Sequence, residues 1–250
     1  MTVRPTVTAS TPLLGPPAAL ALLVGGLTGA NLARSALVPG GWHLAFNLGI
    51  GVFAAGVAVA AGLGAADLGL GRATLVPGLR LGGAAFAVVT VGVVGLGLLG
   101  ALTDDRADVS AGSMLLRAVL VIPLGTVLVE ELAFRGTLHA LLDRVGGPRW
   151  TWVVGAVLFG LWHVFPAWRG GAVDTDLAEV GRVATTTGTL VATTLAGLVF
   201  VWLRVRSDSL VAPVLAHLAT NSVTFALALT FRCPGRGAGS GRGSGAGARR

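Results

Sequence analysis

Seven mostly apolar stretches, each about as long as a bilayer crossing, leave this chain one class of fold. A membrane-spanning helix needs about 20 apolar residues. Lipid offers the backbone no hydrogen bonds, so such stretches must satisfy their own N–H and C=O groups as helices. Composition agrees, with 54% of residues hydrophobic, 12% charged and a mean hydropathy of +0.81; an ordinary soluble domain carries about 25% charged residues. The expected architecture is all-α, a polytopic transmembrane helix bundle of about seven spans.

The spans are expected over residues 13–38, 44–66, 81–102, 114–142, 150–168, 183–203 and 210–231. Pro16-Pro17 falls where a helix can start. The connector Asp67–Arg80 carries Gly71-Arg72 and Pro77-Gly78 as breakers. Residues 103–113 read as an acidic loop in which Ser110 or Ser113 caps the next helix. Pro123 is expected to kink the fourth span. Gly146-Gly147-Pro148 ends that span, and a second acidic loop holds Asp174, Asp176 and Glu179. Trp42, Trp150, Trp152, Trp168 and Trp202 sit near span ends, as an interfacial belt requires. Residues 1–12 form a polar N-terminal segment, 13–231 the bundle, and 232–250 a Gly/Arg-rich tail that reads as disordered. The first apolar run has no clean cleavage site and reads as a span, not a signal peptide.

The charge balance is less informative. All 18 basic residues are arginine, and five of them (Arg232, Arg236, Arg242, Arg249, Arg250) lie in the last nineteen residues. The net charge of +7 therefore describes a tail, not a nucleic-acid-binding face. A solvated tail or a contact with anionic membrane lipid is the expectation there. Cys233 is the one cysteine, which rules out an intrachain disulfide. Arginine counts in the connectors put the N-terminus in the cytoplasm, although seven spans then put the Arg-rich tail outside, against the same rule.

The chemistry lies in the few polar residues that interrupt the spans. Glu130, Glu131 and Arg135 sit in the fourth, His163 in the fifth, His217 and Asn221 in the seventh. An ionisable group at mid-bilayer costs about 2.5–3.5 kcal/mol on insertion scales, so one that persists points to function. At a rise of about 1.5 Å per residue, Glu130 lies about 20 Å in from Asp143 and His163 about 21 Å in from Arg149. By the same rise His217 and Asn221 lie about 14 and 20 Å in from Asp208. Alternating topology puts those three polar ends on one face, so the six groups share a layer. Glu131 and Arg135 are four residues apart and can pair; Phe159 and His163, and His217 and Asn221, repeat that spacing. Glu130 lies about 100° around the helix from Glu131, so the two carboxylates have different tasks.

Each feature has a plainer reading by itself. Glu131–Arg135 can be a structural ion pair, His163 a satisfied core histidine, and His217–Asn221 an interhelical hydrogen-bonding pair. His139 and His43 read as structural, Phe134 and Phe159 as packing. Convergence at one depth favours a catalytic site.

The ordered set Glu130-Glu131-x-x-x-Arg135, Phe159-x-x-x-His163 and His217-x-x-x-Asn221 on successive spans resembles the CPBP (Abi, or CAAX protease and bacteriocin-processing) family of intramembrane proteases. The lead-in from Leu195 to Arg204 and from Ser209 to His217 is also similar, and the likeness covers residues 114–231. The resemblance implies a peptide hydrolase in which Glu130 is the general base and His163 holds and polarises the attacking water. Glu131 and Arg135 orient that pair, and His217 and Asn221 form the oxyanion hole. It also implies a peptide or protein substrate, lipid-modified or not, in a multi-pass protein of a bacterial cytoplasmic membrane.

Two alternatives stay open at this point. Glu130, His163 and His217 can supply three ligands to a catalytic zinc or other divalent metal, though no HExxH spacing is present and no cofactor is favoured. The buried Glu/Arg/His cluster also suits a catalytically silent scaffold or a small-molecule, proton-coupled transporter.

Overall fold

The computed structural model describes residues 12–99, 111–170 and 176–230. Residues 1–11, the acidic loop around 103–110 with its candidate cap Ser110, Asp174, Cys233 and the Gly/Arg-rich tail lie outside the described residues. The described residues form a helix bundle without strands. Its long helices are α1 (Pro16–Leu37), α2 (His43–Ala60), α3 (Leu75–Leu98), α4 (Gly112–Gly146), α5 (Pro148–Gly170), α6 (Asp176–Ser207) and α7 (Val211–Leu227). The first six hold windows long and apolar enough to cross a membrane, and α7 is a shorter apolar helix. The chain is an integral, multi-pass membrane protein.

Helix ends follow local chemistry. Pro16 and Pro17 occupy the first positions of α1 after an extended Gly15, where a missing N–H costs nothing. The second span, expected to run to Ala66, stops at Ala60. Gly62 takes φ +65 and the Leu63 N–H turns back to the Ala58 carbonyl at 2.9 Å, a glycine stop that satisfies the last carbonyls. The third span starts six residues earlier than expected, at Leu75, because Pro77 falls in the first helical turn, where its missing N–H is tolerated. The sixth also starts early: Asp176, expected in a loop, opens α6.

α4 departs most from regular helix. Arg117–Val121, Pro123–Leu128 and Leu132–Leu138 are π-helical, and Val129–Glu131 is a short α-helical piece between two of them. The expected irregularity at Pro123 takes this form, a π-helical stretch that begins at the proline. Such insertions change which residues share a face and often mark functional sites. A further π-helical stretch, Ala219–Val223, surrounds Asn221 in α7. Asn47 of α2 donates to the Gly125 carbonyl at 2.7 Å and ties α2 to the irregular part of α4.

The bundle is inverted relative to a soluble protein. Large apolar side chains such as Val52, Val88 and Leu98 point outward, while Glu131, Arg135 and His217 are buried. At one end the connectors that sequence placed together do meet. Arg144 pairs with Asp67 at 3.2 Å, and Arg204 reaches the Asp208 carboxylate and the Asp67 carbonyl, each at 3.0 Å. Gly69, at φ +73, lies against the Arg204 guanidinium and accepts from the Leu210 N–H at 2.8 Å.

Without a hydrophobic drive between helices in lipid, close packing depends on small residues. A Cβ at Gly82 of α3 would lie 2.8 Å from the Ala212 Cα of α7, and one at Gly78 would strike Ser209. α3 can approach the helix that carries His217 only because these positions lack side chains. Gly82→Ala is therefore expected to cost about 1–3 kcal/mol, the range for overpacking a tight contact. Gly83→Ala, with nothing within 4 Å of the new Cβ, is expected to be neutral or to gain up to about 1 kcal/mol. Thermal unfolding of both variants in detergent checks the contrast; equal midpoints would contradict it.

Candidate active site

The polar residues picked out from sequence lie on α4, α5 and α7, and they converge. Glu131 is fully buried, and one of its oxygens, Oε1, is the hub. It accepts from Arg135 Nη1 at 3.1 Å and from His217 Nδ1 at 2.8 Å. The expected pairing of Glu131 with Arg135 is present, and it extends across helices to His217.

Arg135 is 1% exposed. Its guanidinium carbon sits 3.8 Å from the centre of the Phe159 ring and 4.9 Å from that of Phe200, so two aromatic faces replace part of the lost hydration. Phe200 in turn stacks on His217, with centroids 5.0 Å apart and rings inclined by 26°. Phe159 also meets the His163 ring edge-on at 4.7 Å. Ion pair and aromatic cluster together fix α4 against α5, α6 and α7.

Ring tautomers follow from these partners. The Glu131 carboxylate can only accept, so His217 donates from Nδ1 and its Nε2 keeps a lone pair. That lone pair accepts from Asn221 Nδ2 at 3.0 Å. His163 places Nδ1 2.8 Å from the Phe159 carbonyl. The carbonyl only accepts, so Nδ1 carries the proton and Nε2 is an acceptor as well.

The Nε2 atoms of both rings lie near Glu130. Glu130 Oε2 lies 3.8 Å from His163 Nε2 and 3.9 Å from His217 Nε2. These separations exceed direct hydrogen bonds. Glu130 Oε2 has no hydrogen-bond partner among the described residues. One geometry therefore brings together the carboxylate, the two imidazoles and Asn221 that sequence singled out.

Glu130 has one partner of its own. Its other oxygen, Oε1, accepts the indole N–H of Trp162 at 3.1 Å. Trp162 is the one tryptophan left out of the expected interfacial belt, and it is buried. A signal for it was present in sequence: Pro166 lies four residues on, inside α5, and has no N–H to give the Trp162 carbonyl. Asn31 of α1 supplies the missing donor at 2.8 Å. His43 bonds the Val38 carbonyl at 3.0 Å near an exposed helix start, and His139 Nδ1 has no hydrogen-bond partner among the described residues.

A cavity of about 310 Å³ opens beside the cluster, between α1, α4 and α5. Leu27, Leu138, Leu158 and Phe165 line it, and Trp162 and Phe134 form the wall on the Glu130 side. Glu130, His163, His217 and Asn221 are not among its lining residues.

No curated protein and no solved structure matches the chain. A family model does: that of the type II CAAX prenyl endopeptidase Rce1-like family matches residues 112–223. The match takes in Glu130, Glu131, Arg135, Trp162, His163, His217 and Asn221, the whole of the polar cluster. Over that segment the chain is similar to the Rce1-like family of type II CAAX prenyl endopeptidases, a likeness that indicates a protease.

Proposed function

We propose that this chain is an intramembrane endopeptidase that hydrolyses a peptide bond with a water activated by Glu130 and His163. The observation that carries the reading is the pair of acceptors facing each other, Glu130 Oε2 and His163 Nε2, 3.8 Å apart. A water with hydrogen bonds of about 2.8 Å to each donates both protons and turns its lone pairs outward. Attack on the substrate carbonyl carbon passes one proton to Glu130 Oε2, while His163 keeps the second proton engaged. When the tetrahedral intermediate collapses, the C–N bond breaks and Glu130 returns its proton to the leaving nitrogen.

Asn221 and His217 serve the oxyanion. Asn221 spends one N–H on His217 Nε2 and has a second to offer. His217 Nε2 accepts in the tautomer described above and donates only after gaining a proton, a charge that Glu131 beside its Nδ1 would balance. Asn221 is thus the donor available from the start and His217 the conditional one. Glu131 and Arg135 hold His217 in place and keep α4 in register with α7.

We favour this reading over the metal trio of Glu130, His163 and His217. Both ring nitrogens of His217 are engaged, by Glu131 and by Asn221. Among the described residues no group of three His, Cys, Asp or Glu side chains is disposed to hold a metal ion. No step here is routed through one. The substrate we propose is a peptide reached from within the membrane, with a prenylated cysteine as the first modification to test because the family description names it.

The test is cleavage of an internally quenched peptide, prenylated or bare, by the purified chain in detergent. Glu130→Gln and His163→Ala are each expected to lower kcat by about 10²–10⁴, the range for a general base, with thermal midpoints close to the parent. Undiminished turnover in either variant would contradict the water-activation role. Asn221→Ala is expected to lower kcat by about 10²–10³ and leave KM nearly unchanged, as loss of an oxyanion donor does. A rise in KM at constant kcat would assign Asn221 to substrate binding instead.

A further inference from the structure

We propose that Trp162 is a positioning residue for the catalytic carboxylate, an inference that rests on Glu130 being the general base. A glutamate side chain has three rotatable bonds, and a carboxylate free to turn presents either oxygen at any angle. The Trp162 indole removes that freedom, because its single N–H is spent on Glu130 Oε1 at 3.1 Å. Oε2 is then the oxygen left to face His163 Nε2 and His217 Nε2.

Trp162 and His163 are consecutive on α5, so their side chains diverge by about 100°. One helix thereby addresses both oxygens of a carboxylate on its neighbour: Trp162 holds one, and His163 faces the other across a water-sized gap.

Trp162 is itself held at two points. Its ring packs edge-on to Phe134 with centroids 5.8 Å apart. Its backbone carbonyl, freed by Pro166, is bonded by Asn31. Its far side forms the wall of the 310 Å³ cavity, so the ring separates that apolar space from Glu130. Asn31 is 6% exposed and belongs to α1, outside the family-matched segment. The first span thus reaches the catalytic layer through the Asn31 amide.

The experiment compares Trp162→Phe, which removes the N–H and keeps an aromatic ring, with Trp150→Phe, a substitution at an exposed tryptophan. Steady-state kinetics and thermal midpoints are measured in the parent and in the Glu130→Gln background. Trp162→Phe is expected to lower kcat about 10–100-fold, since small misplacement of a reacting group costs up to about 10² in rate. KM should stay within about twofold and the midpoint close to the parent, while Trp150→Phe changes neither. In the Glu130→Gln background Trp162→Phe should add no further loss, because residues acting through one another are non-additive.

Parent-like kcat in Trp162→Phe overturns the proposal. So does a loss of kcat that tracks a fall in midpoint, or one of equal size in the Glu130→Gln background, since either marks a structural role. Full activity in Glu130→Gln alone would instead sink the general-base reading, whatever Trp162→Phe does.

Discussion

A carboxylate and a guanidinium meeting away from water hold the polar interior of this bundle together. Glu131 and Arg135 are one helical turn apart and 3.1 Å from each other, both essentially unexposed. Burying two charges costs several kcal/mol each, and their attraction repays it only when geometry is good and other groups share the load. Here His217 donates to the same oxygen, and Phe159 and Phe200 cover the guanidinium. The partners come from α5, α6 and α7, so satisfying this one pair forces the helices into a single arrangement. Glu130, His163 and Asn221 take their positions relative to that node. A pair of limited net worth to stability thus acquires a structural task, registering four helices around a site.

Close approach is the second requirement. Lipid does not squeeze helices together as water does, so backbones meet where side chains are small. Gly78 and Gly82 let α3 lie against α7, and Gly197 of α6 packs with its Cβ position 3.1 Å from the Ala156 Cα of α5. The π-helical stretches on either side of Val129–Glu131 are the counterpart in α4. They change the angular spacing of residues along a helix whose neighbours are otherwise regular.

Much of the site was legible because membrane depth is a one-dimensional coordinate. Counting residues inward from connectors placed Glu130, His163 and Asn221 in one layer, and i, i+4 spacing paired Glu131 with Arg135. Both estimates rest on helical rise and twist alone. What escaped depends on contacts between distant segments. Trp162 on an apolar helix reads as packing, and its partner Glu130 is 32 residues away. Only Pro166, which strips a donor from the Trp162 carbonyl, hinted that this turn needed help from elsewhere. Span ends slipped where a backbone conformation decided them: Gly62 at positive φ stops α2, and Pro77 sits harmlessly in the first turn of α3. The π-helical stretches left no trace in the hydrophobic pattern, since a run apolar on every face hides a shift in period. The transporter alternative drew on the same buried charges, and it is the family match over 112–223 that indicates a protease instead.

The central claim is that a water, and not a side chain, attacks the scissile amide, with Glu130 as its base. Single-turnover cleavage in H2(18)O, followed by mass spectrometry of the product and of the peptide containing Glu130, addresses it directly. One heavy oxygen in the newly formed product carboxylate, with none in Glu130, is the predicted result. Heavy oxygen in the Glu130 carboxylate would show that it had attacked the carbonyl itself, and would contradict the account.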